Sequence, residues 1–135
     1  MTKFQFTRNE KHLLAWATLL ALLAVAFGAF GAHGLKGSLT PAQQASYETA
    51  VRYQFYHAFA IFITLFLNRS AGSAIFIAAA RLFLVGTVLF SGSIYLLSFS
   101  SFIHLPNDLL GPLTPIGGVF LLLGWLLVLI AIIRK

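Results

Sequence analysis

Apolar residues arrive in four long runs, and the short stretches between them carry nearly all the charged residues. Each run is about as long as an α-helix needs to be to cross a hydrocarbon core of roughly 30 Å, where every backbone amide must find its partner inside the segment. The pattern therefore predicts one membrane domain over 1–135, with spans near 13–31, 49–67, 74–100 and 115–133. The second span is the inner part of a longer helix over 41–67. That helix has a readable start, since Thr40 suits an N-cap, Pro41 the first helical position, and Gln43 completes a capping box. At 1.5 Å per residue it is about 40 Å long, so its first turns project beyond the apolar layer, and Glu48 and Arg52 are placed to pair there. Thr114 and Pro115 repeat the cap-and-proline pattern ahead of the fourth helix. The expected fold is all-α, a polytopic four-transmembrane-helix bundle.

Small residues punctuate these runs. Gly28 and Gly31 lie near the end of the first, Gly86 and Ser93 are seven apart on the third, and Gly117 and Gly124 are seven apart on the fourth. Such spacing marks helix-packing seams in lipid, where small side chains let backbones approach. Near Gly28 and Gly31, chain flexibility before the loop is an equal explanation. The basic start and the small residues at 29–32 mimic a cleaved leader, but the apolar run over 13–30 exceeds a leader's core. A retained helix is expected.

Composition strengthens the membrane reading. Hydrophobic residues make up 59% of the chain and charged residues 9%, against about 25% charged in soluble domains. The net charge of +6 comes from residues at the termini and between runs, with no basic stripe and no nucleic-acid motif, which argues against nucleic acid. It points instead to anionic headgroups at one rim. With four spans, Lys3, Arg8, Lys11, Arg69, Arg81, Arg134 and Lys135 share one side, and Lys36 and Arg52 share the other. The positive-inside rule makes the first side cytoplasmic, hence N-in and C-in. There are no cysteines, so thiolate metal sites, Fe–S ligation and cysteine nucleophiles are excluded, and no metal site or cofactor is expected.

Polar residues inside a span are costly in lipid and face the bundle interior by default. On the second helix Tyr53, Gln54, His57, Ile61, Thr64 and Asn68 project to one face, while Phe55, Phe59, Phe62 and Phe66 project to the other. Two readings stand. Tyr53, Gln54 and His57 hydrogen-bond between helices, at about 0.6 to 2 kcal/mol each, or with Arg52 and His33 they form a polar or ligand site near the outer rim. In the second reading His57 and His33, from two helices, are the pair that would clamp a haem. His104 reads as a solvated loop residue, His12 as interfacial. Three acidic residues, Glu10, Glu48 and Asp108, give paired-carboxylate catalysis little material, and there is no serine elbow, zinc motif or P-loop. No enzymatic activity is expected.

Four stretches carry a resemblance: GAFGAHGLKG (28–37), AVRYQFYHAFAIF (50–62), LFSGSIYLLSF (89–99) and TPIGGVFLLLGW (114–125). In this order they resemble the domain of unknown function 423 family, small four-helix bacterial inner-membrane proteins related to the mitochondrial transmembrane protein 256 family. The resemblance extends over nearly all the chain from Leu13 onward. It implies four spans and a multi-pass protein of the bacterial inner membrane, and it marks His33, Tyr53, Gln54, His57, Gly117, Gly118 and Trp125 as motif positions without giving them roles.

With no soluble domain and no catalytic set, the favoured reading is a non-catalytic accessory, assembly or interaction subunit of a larger membrane complex. The partners expected are the lipid bilayer, anionic headgroups at the cytoplasmic rim, and a membrane protein or a second copy of the chain. The alternative is a small transporter, channel, or lipid-, quinone- or haem-binding module using the polar stripe of the second helix. Orientation is testable directly. Cysteines introduced singly near each end of this cysteine-free chain should both be labelled from the cytoplasmic face; labelling from opposite faces would refute the four-span reading.

Overall fold

The computed structural model describes residues 5–100, 102 and 110–134, which form four helices: α1 (Arg8–His33), α2 (Pro41–Ala71), α3 (Ala74–Ser98) and α4 (Leu113–Ile133). All four are long and apolar enough to cross a membrane, and no strand occurs among the described residues. The fold is thus an all-α, four-span membrane protein. Lys3, His104, Asp108 and Lys135, used above in assigning sides and roles, lie outside the described residues.

Local chemistry sets the helix ends. At α1, Thr7 and Glu10 form a reciprocal capping box: the Glu10 amide donates to Thr7 Oγ1 (3.3 Å), and Glu10 Oε2 accepts from the Thr7 amide (2.8 Å). This carries the helix a turn ahead of the apolar run. At α2, Thr40 and Gln43 form the same box, with Pro41 at the first turn. Helix α2 continues past residue 67 to Ala71 and stops at Gly72, whose left-handed φ of 58° suits glycine. Ser73 then caps α3 by accepting from the Ile75 amide. The tight Gly72–Ser73 reversal puts the start of α1 and the α2–α3 turn at one rim, where Asn68 Nδ2 donates to Glu10 Oε1 (2.9 Å) and Arg69 donates to the Gln5 carbonyl (2.7 Å).

Two local expectations fail. Thr114 does not cap α4: Pro112 occupies that position, with no side-chain cap. The Thr114 hydroxyl lies instead 2.7 Å from Ser93 Oγ on α3, because a hydroxyl facing another helix in lipid gains more from that partner than from a helix end open to water. Nor do Glu48 and Arg52 pair. Glu48 accepts from Gln44 Nε2 (3.1 Å) and Arg52 donates to Thr49 Oγ1 (3.2 Å), each taking a nearer partner on the exposed part of α2.

Packing runs in series. α1 lies on α2, α2 on α3 and α3 on α4, whereas the backbone of α4 stays apart from those of α1 and α2. The closest approach is α3 to α4, and glycines permit it. A Cβ on Gly117 would strike the Phe90 backbone; one on Gly124 would come within 2.6 Å of the Phe83 ring, and one on Gly86 within 2.7 Å of Leu121. Gly31 plays the same part between α1 and α2, under the Tyr47 ring (2.5 Å), while Gly28 meets Val51 at an ordinary 3.4 Å. Phe83, Ile61 and Leu65 fill the core, fully buried. Outward-facing Trp16, Phe59, Phe66, Leu122 and Leu129 meet the bilayer's acyl chains.

The glycine seam makes a paired prediction. Gly117→Val should destabilise the fold by about 1–3 kcal/mol, because overpacking must push two backbones apart. Gly118→Val should be nearly neutral, since its Cβ would meet only the Phe90 ring at 3.8 Å. Denaturation of both variants in mild detergent compares them; equal stability would refute the seam.

Candidate functional site

Inside the apolar layer the polar side chains reach for backbone carbonyls and for one another. The Gln54 amide stands at the centre: Nε2 donates to the Leu20 carbonyl of α1 (2.8 Å), and Oε1 accepts from the Tyr95 hydroxyl of α3 (2.9 Å). One buried side chain thereby ties three helices. Tyr47 donates to the Phe27 carbonyl (2.9 Å) and Ser91 to the Ala50 carbonyl (2.9 Å). Thr87 and Ser98 bond back to carbonyls of their own helix, Phe83 (2.6 Å) and Ile94 (2.8 Å). Around Tyr95 the rings of Phe27 and Tyr47 pack at centroid distances of 5.1 Å, which excludes lipid from the polar contacts.

His57 lies on a different side of α2, against α3 and α4. Its Nδ1 is 2.8 Å from the Tyr53 carbonyl, which can only accept, so Nδ1 carries the proton. The free lone pair on Nε2 then accepts from the Trp125 indole N–H of α4 at 3.2 Å. Both ring nitrogens are engaged, and the imidazole is held as the neutral Nδ1–H tautomer. The rings of Phe83 (5.6 Å) and Trp125 (6.2 Å) flank it. Since α3 and α4 meet through glycines while α4 stands off α2, the side-chain bridge from His57 to Trp125 closes the inner end of a groove. That groove opens toward lipid, with a volume of about 610 Å³. Tyr53, Tyr56 and His57 form one wall, Phe90 the floor, and Pro115, Gly118, Val119, Leu121, Leu122 and Trp125 the other wall.

The five residues proposed from sequence do not form one site. Gln54 and His57 are buried but serve separate contacts. Tyr53 is 40% exposed and lines the groove instead of facing the interior. Arg52 is exposed, and His33 is exposed at the end of α1. The haem pairing fails on depth. Leu20 is level with Gln54, and His33 is thirteen residues further out, about 20 Å along the axis, while His57 lies a turn in the opposite direction. Trp125 sits near the middle of α4, so His57 is near mid-membrane and not by the outer rim. Sequence reasoning had missed Trp125 and Tyr95 as partners and Tyr56 and Phe90 as lining. Trp125 and Tyr95 lie within the motif stretches, but helical spacing alone does not reveal which helices meet.

At the opposite end lies a second polar cluster, ahead of the apolar run of α1. Glu10 is buried under Thr7, Asn68 and Arg69. Burial works to raise its pKa, but the bonds from Thr7 and Asn68 and the charge of Arg69 outweigh burial and hold the carboxyl below its ordinary value. A carboxylate with a depressed folded-state pKa stabilises the fold above the ordinary value, and that stabilisation is lost as pH falls through the folded value. Its signal was legible, since Thr7 and Glu10 have capping-box spacing.

Comparison with known proteins agrees with this architecture. A family model described as "Protein of unknown function (DUF423)" matches residues 27–118. The chain is similar to the UPF0382 membrane protein YwdK of Bacillus subtilis, 39% identical over 115 residues, covering 84% of this chain and 89% of the relative. It is similar also to the UPF0382 inner membrane protein YgdD of Escherichia coli K12, 36% identical over 126 residues, covering 93% and 92%. No solved structure matches the chain.

The His57–Trp125 bridge is open to a fluorescence test, because the chain has only two tryptophans. In a Trp16→Phe background, His57→Leu should shift the Trp125 emission to the blue as the indole loses its acceptor, and should cost about 0.6–1.7 kcal/mol of stability. Unchanged emission would contradict the bridge.

Proposed function

The chain belongs to the family of proteins of unknown function designated DUF423, and on that premise we propose that it is a non-catalytic interaction subunit of a larger membrane assembly. It is a multi-pass protein of the bacterial inner membrane, and its helices contact lipid. One observation supports the reading above others: six polar side chains of the apolar layer are spent within the chain. Gln54, His57, Tyr95, Ser91, Thr87 and Ser93 each have an intramolecular partner. A hydrolytic or transfer reaction needs a general base with a free lone pair near a reacting atom, and conduction needs a continuous polar path. Neither is at hand along these contacts. What the molecule offers to others is its outer surface.

The face we assign to a protein partner is the aromatic ridge of α2. Phe55, Phe59 and Phe66 are 36%, 49% and 65% exposed, and the tilted rings of Phe55 and Phe59 pack at 5.0 Å. Phe62, expected on the same ridge, is instead partly buried against the core. Rigid rings suit docking against another helix at small entropic cost, while lipid tails fill the same space without preference. We also place both termini and the α2–α3 turn in the cytosol, since Arg8, Lys11, Arg69, Arg81 and Arg134 belong to that side and only Lys36 and Arg52 to the other.

A photocrosslinking residue at Phe59, activated in intact membranes, should give one discrete adduct with another membrane protein. The triple change Phe55→Ala, Phe59→Ala and Phe66→Ala should abolish co-purification of that same protein in mild detergent while the chain still inserts and folds. Adducts with lipid only, or with a second copy of this chain only, would overturn the proposal.

A further inference from the structure

The groove between α2 and α4 carries two polar groups that the fold does not use. Tyr53 and Tyr56 both line it, and among the described residues neither phenol hydroxyl has a hydrogen-bond partner. Every other tyrosine of the spans behaves differently: Tyr47 and Tyr95 are both bonded across helices. Depth makes the contrast meaningful. Tyr53 is one turn, and Tyr56 one residue, from His57, which is level with Trp125 at the middle of α4. Both phenols therefore start within about 6 Å of mid-membrane. At that depth water is absent, and an unbonded hydroxyl is unfavourable unless something in the bilayer accepts from it.

We propose that this groove binds an isoprenoid quinone, its ring against the aromatic surface of Tyr53 and Phe90 and its carbonyl oxygens accepting from Tyr53 and Tyr56. Three features select that class. The acceptor must lie near the level of Tyr53 and Tyr56, whereas phospholipid ester groups lie at the edge of the hydrocarbon core, about 15 Å from mid-membrane and so about 9 Å from the level of Tyr53. A flat ring suits the lining, because Tyr53 and Phe90 pack on each other at 4.8 Å into one aromatic surface and Trp125 closes the end. The ligand must also carry an apolar tail, because the groove opens sideways into lipid. A volume of about 610 Å³ falls within the usual range of small-molecule sites, about 300–1,000 Å³. His57 is not a ligand here; its bond to Trp125 holds the closed end in shape. The inference is independent of the protein-partner reading, since the groove and the phenylalanine ridge use different faces of α2.

Trp125 reports directly on the groove, because quinones quench indole fluorescence at short range. In a Trp16→Phe background reconstituted into quinone-free phospholipid nanodiscs, a decyl-benzoquinone should quench Trp125 saturably. Tyr53→Phe with Tyr56→Phe should weaken that binding at least tenfold. Gly118→Leu, which projects into the groove past the Phe90 ring at 3.8 Å without touching the α3–α4 seam, should abolish it with the fold intact. Trp16, exposed to lipid on α1, should show only linear collisional quenching in a Trp125→Phe chain. Linear quenching at Trp125 matching that at Trp16, saturable quenching indifferent to the two Tyr→Phe changes, or a tightly retained phospholipid that the quinone fails to displace would each overturn the proposal.

Discussion

Lipid offers no hydrogen bonds, and the whole architecture follows from where the chain finds them for itself. Helices satisfy the backbone, but each hydroxyl, amide and ring nitrogen within a span still needs a partner on this chain or in the membrane. Gln54 meets that demand in the most consequential way, because its single amide reaches the Leu20 carbonyl on one helix and the Tyr95 hydroxyl on another. It fixes the register of α1, α2 and α3 at once. Apolar packing alone leaves register soft, since one leucine slid past another in lipid exchanges like for like. A buried carbonyl–amide contact has one depth at which it can form.

The second constraint is contact distance. Without a hydrophobic drive between helices, attraction in the bilayer comes from dispersion, which requires backbones close together. Gly117 against the Phe90 backbone and Gly124 against the Phe83 ring bring α4 onto α3 along their length. No comparable seam joins α4 to α2. Where α2 faces α4 it carries Tyr53, Tyr56 and His57, bulky side chains that hold the two helices apart and bridge them only at Trp125. The groove is thus a product of unequal side-chain size: glycines at the α3–α4 contact, and the rings of Tyr53, Tyr56 and His57 where α2 faces α4.

Sequence and structure part company along the same line. The four helices, the N-cap of α2 and the glycine spacing on α3 and α4 were legible because each depends on residues near one another in the chain. So was the outward placement of Phe55, Phe59 and Phe66, which needs only the helical repeat. What the repeat cannot say is which neighbour a face meets. Gln54 and His57 project to one side of a helical wheel, yet they serve different partners: Gln54 reaches α1 and Tyr95 of α3, whereas His57 reaches Trp125 of α4. Tyr53 lies on the far side of His57 from Gln54 and ends at the groove. His33 and His57 shared a residue type and an assumed rim, but depth is set by the register that Gln54 imposes, and that register separates them. Thr114 matched a cap pattern whose logic belongs to helix ends in water, whereas its hydroxyl meets Ser93.

These two constraints also explain why candidate chemistry collects where it does. A side chain that completes its bonding inside the chain is locked: His57, with one nitrogen on the Tyr53 carbonyl and the other on Trp125, can change partner only by breaking the wall of the groove. Such residues define shape. The two phenols of the groove are the converse case, since the Tyr53 ring packs against Phe90 while both hydroxyls remain to be satisfied by whatever shares that depth of the membrane. Aromatic rings bearing unspent donors, set in a cleft open to the bilayer, are an arrangement suited to recognition in lipid. The surrounding polar network supports it by staying closed, because any competing donor left open nearby would draw water or ligand to a place the fold cannot accommodate.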